Sequence, residues 1–194
     1  MLKLFDGVYP PGEDSYLLLD CISRRRRELG STPADVGTGS GILALEMARA
    51  CRVVLATDIN PAASRCTQRN AEISKLDQKV DVICSDGLEP IRISKKFSAV
   101  VSNPPYLPEE ASLQPRIEDR VWTGGKRGVE TSLRFIRQAV QHLKPAGSLW
   151  IVLSSLSGMD EPLQEMRALG YTVELVDGIN LFFERLAVVK AVKG

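Results

Sequence analysis

Histidine is almost absent from this chain, whose 194 residues include only His142. A Ser-His-Asp triad needs an imidazole beside its nucleophile, and catalytic zinc sites often take several imidazole ligands. The scarcity therefore disfavours triad hydrolases and histidine-rich metal centres. No metal cofactor is expected.

Cysteine pairs and long apolar runs are also missing. None of the four cysteines, Cys21, Cys51, Cys66 and Cys84, forms a CxxC pair, which favours reduced thiols in a cytosolic protein. No window approaches the ~20 apolar residues of a membrane span, and the apolar start over 1–5 is too short for a signal peptide. We expect a cytoplasmic protein without membrane attachment.

Neither sign of charge is in excess. Lysine and arginine number 25 against 24 acidic residues, so the formal net charge of +1 provides no global attraction to nucleic acid or anionic membrane. Aromatic residues make up 6% of the chain, few for stacking on bases. Direct nucleic-acid binding is therefore not expected.

Apolar runs of strand length alternate with amphipathic stretches of helix length, which is typical of an α/β fold with a mainly parallel sheet. We expect one domain over 1–194, with an amino-terminal segment and helix over 1–30 and an α/β core over 31–194. The last two strands are close enough to pair, so an antiparallel last strand is expected. The predicted strands cover 34–36, 53–57, 80–84, 97–102, 149–153, 172–176 and 182–189. The predicted helices cover 13–29, 42–50, a segment from Pro61, 127–143 and 161–169. Ser40 is the predicted cap of the second helix.

A glycine-rich loop follows the first predicted strand and reads Asp35-Val36-Gly37-Thr38-Gly39-Ser40-Gly41. Glycines at a strand-to-helix turn let a ligand lie against the backbone and the helix N–H groups. The spacing is GxGxG, whereas the dinucleotide fingerprint GxGxxG places its third glycine one position later. The loop therefore predicts a nucleotide-like ligand and weakens an NAD interpretation.

Two acidic residues follow the next strands. Asp58 can accept hydrogen bonds from both hydroxyls of a ribose, and Asp86-Gly87 can meet an adenine amino group. Taken singly, Asp58 could be a helix cap and Asp86-Gly87 a plain turn. Their order along the chain favours one nucleoside site at three strand ends.

The segment Asn103-Pro104-Pro105-Tyr106 follows another strand, where open α/β sheets bind ligands. The Asn103 side-chain oxygen and the Pro104 carbonyl can accept both hydrogens of a planar NH2 group, and Tyr106 adds an aromatic wall. An amide nitrogen is a poor nucleophile because its lone pair is conjugated, so a strong electrophile such as a sulfonium methyl donor is required. An ordinary strand terminator remains the alternative for an isolated instance.

These residues resemble class I methyltransferases of the HemK type, which methylate the glutamine of the Gly-Gly-Gln loop in class I peptide-release factors. The likeness also covers residues 8–19, Asp58-Ile59-Asn60-Pro61 and the stretch 122–128, and the short chain resembles the compact archaeal and eukaryotic branch. The resemblance implies a Rossmann-like seven-stranded sheet with helices on both faces. It also implies S-adenosylmethionine as the cofactor and S-adenosylhomocysteine as its product. Implied cofactor contacts are Ser15, Asp35, Gly37, Gly39, Asp58, Asp86 and Gly87, while Asn103 would hold the substrate amide and Pro104, Pro105 and Tyr106 would shape its pocket.

Two departures from the branch are Gly12, where alanine is common, and Gly87, where bulkier residues are common. The resemblance also implies a heterodimer with a small zinc-binding activator protein that pairs through a sheet edge. Val80, Val82 and Ile83 lie in a strand that we predict at an edge, although ordinary core packing also explains them. No function is assigned to the arginines over 24–27, which can form a solvated helix face or touch a release-factor complex.

Other interpretations stay open on the sequence. Adenine N6 or guanine N2 methyltransferases hold the NH2 group of a flipped base in a similar loop, and a deprotonated lysine amine also suits the pocket. A methyltransferase-fold binding module without activity and an oxidoreductase are further alternatives, although no hydride-handling site is evident.

Overall fold

Seven strands form one sheet in the computed structural model, which describes residues 2–108 and 124–193. Their order across the sheet is β3-β2-β1-β4-β5-β7-β6. Within the described residues every strand is parallel to the others except β7, which pairs antiparallel with both β5 and β6. The predicted antiparallel last strand is confirmed. The strands are β1 (Ala34–Val36), β2 (Val54–Asp58), β3 (Val80–Cys84), β4 (Phe97–Ser102), β5 (Leu143–Ser154), β6 (Tyr171–Asn180) and β7 (Arg185–Lys193).

Helices cover both faces of this sheet, as predicted. Alternation along the strands separates two cores: Val101 and Trp150 belong to the core under α1 and α2, whereas Val100 and Ile151 belong to the core under α4 and α5. The helices are α1 (Glu13–Arg24), α2 (Ile42–Ala50), α3 (Pro61–Ile73), α4 (Glu130–His142) and α5 (Asp160–Ala168). None of the described helices is long and apolar enough to cross a membrane.

The first helix is shorter than predicted. It ends at Arg24, and a 3₁₀ turn over Arg26–Leu29 follows, which brings Leu29 into the core at 1% exposure. Arg24 pairs with Asp177 and Arg25 with Glu174, both on β6, at 2.6 Å. Two of the four clustered arginines thus join α1 to the sheet, although such exposed pairs add little stability.

The predicted Ser40 cap of α2 is wrong. Gly41 occupies the N-cap with φ of +84°, and no side chain caps the helix there. A Cβ on Gly41 would lie 2.9 Å from the Thr67 side chain, so α3 leaves room only for glycine. The predicted Asn60 and Pro61 start of α3 is confirmed, since the Asn60 side chain accepts from Ala62 N.

Further boundaries differ. Strand β5 begins at Leu143 rather than at 149, and β6 runs to Asn180 rather than to 176. Helix α4 begins at Glu130 rather than at 127, because Gly125–Gly128 form a turn closed by Gly128 N and Gly125 O at 3.0 Å. Strand β7 begins at Arg185 rather than at 182, because Leu181–Glu184 form the hairpin turn, with Leu181 N donating to Glu184 O at 2.6 Å. The apolar residues of this turn favour a strand by sequence pattern, but they lie in the turn.

Candidate active site

A cavity of about 450 Å³ opens where the parallel strands end at their carboxyl edge. This volume falls within the range of small-molecule sites, roughly 300–1,000 Å³. Of the eleven predicted site residues, every one except Asp35 lines the cavity. Those ten are Ser15, Gly37, Gly39, Asp58, Asp86, Gly87, Asn103, Pro104, Pro105 and Tyr106.

The glycine loop is fastened to the end of β2. Gly37 N and Thr38 N both donate to Thr57 O, at 2.8 and 2.9 Å. Gly39 N donates to Asp58 Oδ2 at 2.8 Å, and Asn60 N donates to Asp58 Oδ1 at 2.9 Å. Each Asp58 oxygen keeps a second lone pair, and Asp58 lines the cavity, which suits two ribose hydroxyls. Burial raises the pKa of Asp58 despite these hydrogen bonds.

Asp35 lies beneath the loop and does not line the cavity. It is fully buried, and its Oδ2 accepts from Thr38 Oγ1 at 2.7 Å and from Ala44 N at 3.1 Å. Its Oδ1 is buried without a hydrogen-bond partner among the described residues. Burial raises the pKa of Asp35 to about 7. The structure therefore places Asp35 where it holds the loop and the start of α2 together.

Asp86 and Gly87 meet α4. Asp86 forms an ion pair with Arg134. Gly87 has φ of +59°, and a Cβ there would lie 2.0 Å from the Gln138 side-chain oxygen, which accepts from Leu88 N. Close packing on α4 thus explains glycine at the position where the resembled branch often has larger residues.

Asn103 faces the cavity at the end of β4. Its Nδ2 donates to Ser15 Oγ at 3.2 Å, and its Oδ1 is buried with no hydrogen-bond partner in the described part of the chain. Ser15 Oγ in turn donates to Asp14 Oδ1 at 3.1 Å. Because the NH2 end is held by Ser15, the acceptor end of the Asn103 amide is left for a ligand.

Asp14 and Tyr9 are cavity residues that sequence reasoning missed. Tyr9 and Tyr106 both donate their hydroxyls to Asp14 Oδ2, at 3.2 and 3.3 Å. Burial, followed by the charge of Asp14, raises the pKa of Tyr9 to about 12 and raises that of Tyr106 as well. Both phenols stay neutral near pH 7. The 8–19 resemblance contained both residues, but nothing in it indicated contact with a tyrosine 92 positions away.

The glycines of the stretch 124–128 support the Asn-Pro-Pro-Tyr loop, whereas Trp122 and Thr123 lie outside the described residues. Gly124 N donates to Leu107 O at 2.8 Å. A Cβ on Gly128 would lie 2.4 Å from Tyr106 O, and a Cβ on Gly124 would lie 2.0 Å from Gly128 O. The two motifs therefore form one packed unit, and α4 adds Glu130, Thr131, Arg134 and Phe135 to the lining.

A family model described as "Methyltransferase small domain" matches residues 11–176. The chain belongs to this methyltransferase family. It is 32% identical to a putative protein N5-glutamine methyltransferase of Methanocaldococcus jannaschii, over 98% of this chain and 94% of that protein. It is also 33% identical to methyltransferase HEMK2 of Homo sapiens, over 86% of this chain and 80% of that protein. The resemblance to HemK-type enzymes is confirmed.

Solved structures show the same fold at lower identity. In the E. cuniculi Mtq2-Trm112 complex, responsible for methylation of the eRF1 translation termination factor, the matching chain has a TM-score of 0.72 and 23% identity, over 97% of this chain and 99% of that one. The T. thermophilus 16S rRNA N2 G1207 methyltransferase RsmC, bound to AdoMet and guanosine, gives 0.70 and 21% identity, over 95% of this chain and 44% of that one. These likenesses confirm the Rossmann-like methyltransferase fold.

Proposed function

We propose that this chain transfers a methyl group from S-adenosylmethionine to the side-chain amide nitrogen (N5) of a protein glutamine, in the Gly-Gly-Gln motif of a class I peptide-release factor. The observation that carries the proposal is Asn103, which lines the cavity together with Asp58 and the glycine loop and whose Oδ1 is buried without a partner among the described residues. A neutral acceptor in that position fits an NH2 group.

The residues present fit the methyl donor. Asp58 would accept from the ribose hydroxyls, Asp86 from the adenine amino group, and the open side of Gly39, where a Cβ would meet nothing within 4 Å, leaves room for the ligand. Ser15 would contact the amino-acid end, and Asp35 would act through the loop that it holds. The bound donor supplies an electrophilic methyl on a sulfonium sulfur.

The side chains around Asn103 would orient the substrate rather than deprotonate it. Asn103 Oδ1 and the Pro104 carbonyl accept the two amide hydrogens, and this orientation turns the nitrogen lone pair toward the methyl group. The donor would supply the methyl group to this nitrogen and leave as S-adenosylhomocysteine, and one amide hydrogen would be released to water as a proton. Pro105 and Tyr106 form the pocket wall and limit access of water.

A small zinc-binding activator subunit is the partner that we propose for this chain. The E. cuniculi neighbour is a complex with Trm112, and β3 lies at the edge of the sheet here, as predicted. Val82 is half-buried and Ile83 is 37% exposed on that edge. Pairing with another strand would cover these side chains and the open backbone groups. A cytoplasmic location and a single domain over 1–194 stay predictions.

Methylation of guanine N2 or adenine N6 is the second candidate, because RsmC has a similar fold and was solved with guanosine. Charge argues against it. Arg134, which lines the cavity, is paired with Asp86, and the net charge of +1 offers no phosphate attraction. A lysine amine on a protein is a further possible acceptor for the same pocket.

Labelled S-adenosylmethionine distinguishes these candidates. The enzyme, alone and with its activator, is given a release factor, the same factor with its Gly-Gly-Gln glutamine changed to glutamate, and structured RNA. We expect label on the first protein only, located by mass spectrometry at the glutamine, and none with the Asn103→Ala variant. Label on RNA, or no label on the release factor with activator present, overturns the proposal.

A further inference from the structure

Two adjacent phenylalanines are almost fully exposed at the tip of the β6–β7 hairpin. Phe182 is 92% and Phe183 is 83% exposed, and their rings meet edge to face with centroids 4.6 Å apart. Isolated exposed apolar residues are ordinary, but two adjacent exposed aromatic rings on a hairpin turn are typical of a binding surface. The cavity described above does not include either ring.

The hairpin tip lies beside the mouth of the cavity. Because β7 is antiparallel, the turn between β6 and β7 lies at the carboxyl edge of the sheet, the same edge as the cavity. Glu184, the last residue of the turn, accepts from Ser154 Oγ at 2.5 Å at the end of β5. Glu184 also acts electrostatically on Tyr9 and Tyr106, since its charge, after burial and Asp14, raises the pKa of both.

Two leucines continue the apolar surface toward the Asn-Pro-Pro-Tyr loop. Leu156 follows β5 and is 46% exposed, and Leu107 follows Tyr106 and is 50% exposed. The two segments meet at Gly128, where a Cβ would lie within 3 Å of both Tyr106 O and Ser157 Cβ. We call Leu107, Leu156, Phe182 and Phe183 the apolar rim.

We propose that the apolar rim binds the polypeptide around the methylated glutamine, with Phe182 and Phe183 as its anchors on the protein substrate. This inference rests on the proposed function. A cavity of about 450 Å³ is the size of a small-molecule site, so recognition of a whole protein has to come mainly from the surface around its mouth. Aromatic side chains are frequent anchors in protein interfaces.

The charges around the mouth favour a protein occupant over a nucleic acid. Arg134 is paired with Asp86, and Arg127 is paired with Glu130 and Glu161. The rim itself is bordered by the carboxylate of Glu184. A phosphate backbone would need several unpaired cations beside the aromatic rings. The exposed side chain of Arg185 is the one cation that directly follows the turn in the chain, whereas an apolar peptide segment needs none.

The test is the double variant Phe182→Ser with Phe183→Ser, assayed with the activator subunit present. Anchors that bind protein outside the cavity affect KM rather than the chemical step. We expect KM for the folded release factor to rise tenfold or more. We also expect kcat and S-adenosylmethionine affinity to stay within twofold of the wild type, and the melting temperature to stay within a few degrees.

Ile93→Ser is the matched control. Ile93 is 63% exposed and precedes β4, at the opposite edge of the sheet, so this variant removes an exposed apolar side chain that does not line the cavity. An unchanged KM in the double variant, or an equal rise in Ile93→Ser, overturns the docking role while leaving glutamine methylation intact. If the wild type fails to methylate the release factor, the proposed function itself falls, and the protein occupant with it.

Discussion

Asn103 Nδ2 donates to Ser15 Oγ at 3.2 Å, and this contact leaves the amide oxygen as the end without a partner among the described residues. Ser15 is itself fixed, because its Oγ donates to Asp14 Oδ1 and its backbone N donates to the same oxygen. The acceptor that we assign to the substrate is thus oriented by the first turn of α1, 88 positions earlier in the chain.

Removing the hydroxyl of Ser15 should release the Asn103 amide. The Ser15→Ala variant loses a hydrogen bond worth about 1 kcal/mol, so we expect kcat to fall roughly five- to tenfold. Steady-state kinetics with the release factor measures this fall, and Ser15→Thr, which keeps a hydroxyl, should retain most of the activity. Loss of cofactor affinity alone, with kcat unchanged, would show that Ser15 serves only the methyl donor.

The sequence predicts this site because the ends of strands can be recognised from apolar runs followed by polar residues. Asp58, Asp86 and Asn103 each follow an apolar run, and the carboxyl ends of parallel strands converge by geometry. Contacts between segments that are distant in the chain cannot be predicted from such local patterns. No local sequence pattern predicts that Asp14 accepts a hydrogen bond from Tyr106. Nor does any local pattern predict that Thr67 on α3 excludes a side chain at Gly41, which makes Gly41 rather than Ser40 the cap.

The same limit explains the hairpin. Phe182 and Phe183 have high strand propensity, and propensity placed them in the last strand. In the structure they form the turn, because β7 pairs with β5 in a register that matches Ser154 with Leu186. An apolar residue whose role is to meet another molecule has the same sequence pattern as one that fills the core.

The glycine that supports the Asn-Pro-Pro-Tyr loop offers a second test. In Gly128→Ala, the added Cβ would strike Tyr106 O and Ser157, and the backbone would also be strained at φ of +82°. We expect methyl transfer to fall by roughly 10²-fold, as misplacement by about 1 Å can do, while calorimetry shows S-adenosylmethionine binding within a few fold of the wild type.

Gly158→Ala is the control for backbone strain alone. Gly158 has φ of +86°, and a Cβ there would meet nothing within 4 Å. Both variants should therefore lose a similar small amount of stability from the left-handed backbone, and only Gly128→Ala should lose activity beyond it. Equal activity in the two variants would contradict the supporting role of the 124–128 stretch.

Asp58 should govern cofactor affinity. In Asp58→Asn, one side-chain oxygen becomes an NH2 group, which would face either Gly39 N or Asn60 N, both donors. The variant also loses charge-assisted bonds to the ribose, each worth about 1.5–3 kcal/mol. We expect the S-adenosylmethionine dissociation constant, measured by calorimetry, to rise roughly 10- to 100-fold. Asp77→Asn, exposed ahead of β3, removes the same charge and should leave affinity unchanged.

The raised pKa of Asp35 should make the stability of the cofactor-free protein depend on pH. Because its folded pKa is raised to about 7, above the unfolded value near 3.8, its contribution is fully present below pH 4 and is lost as pH rises through 7. An amide at this position keeps an acceptor for Thr38 and Ala44 without a charge to bury. The melting temperature of Asp35→Asn, relative to the wild type, should therefore increase by several degrees between pH 5 and pH 8.

Asp177→Asn is the control for this prediction over the same pH range. Hydrogen bonding from Arg24 lowers the pKa of Asp177, so this carboxyl is ionised in both folded and unfolded chains from pH 5 to pH 8. Its melting-temperature difference from the wild type should stay flat across those pH values. A flat difference for Asp35→Asn as well would mean that Asp35 keeps its charge in the folded protein, and that the unpartnered Oδ1 is stabilised by a bound water or cation rather than by a proton.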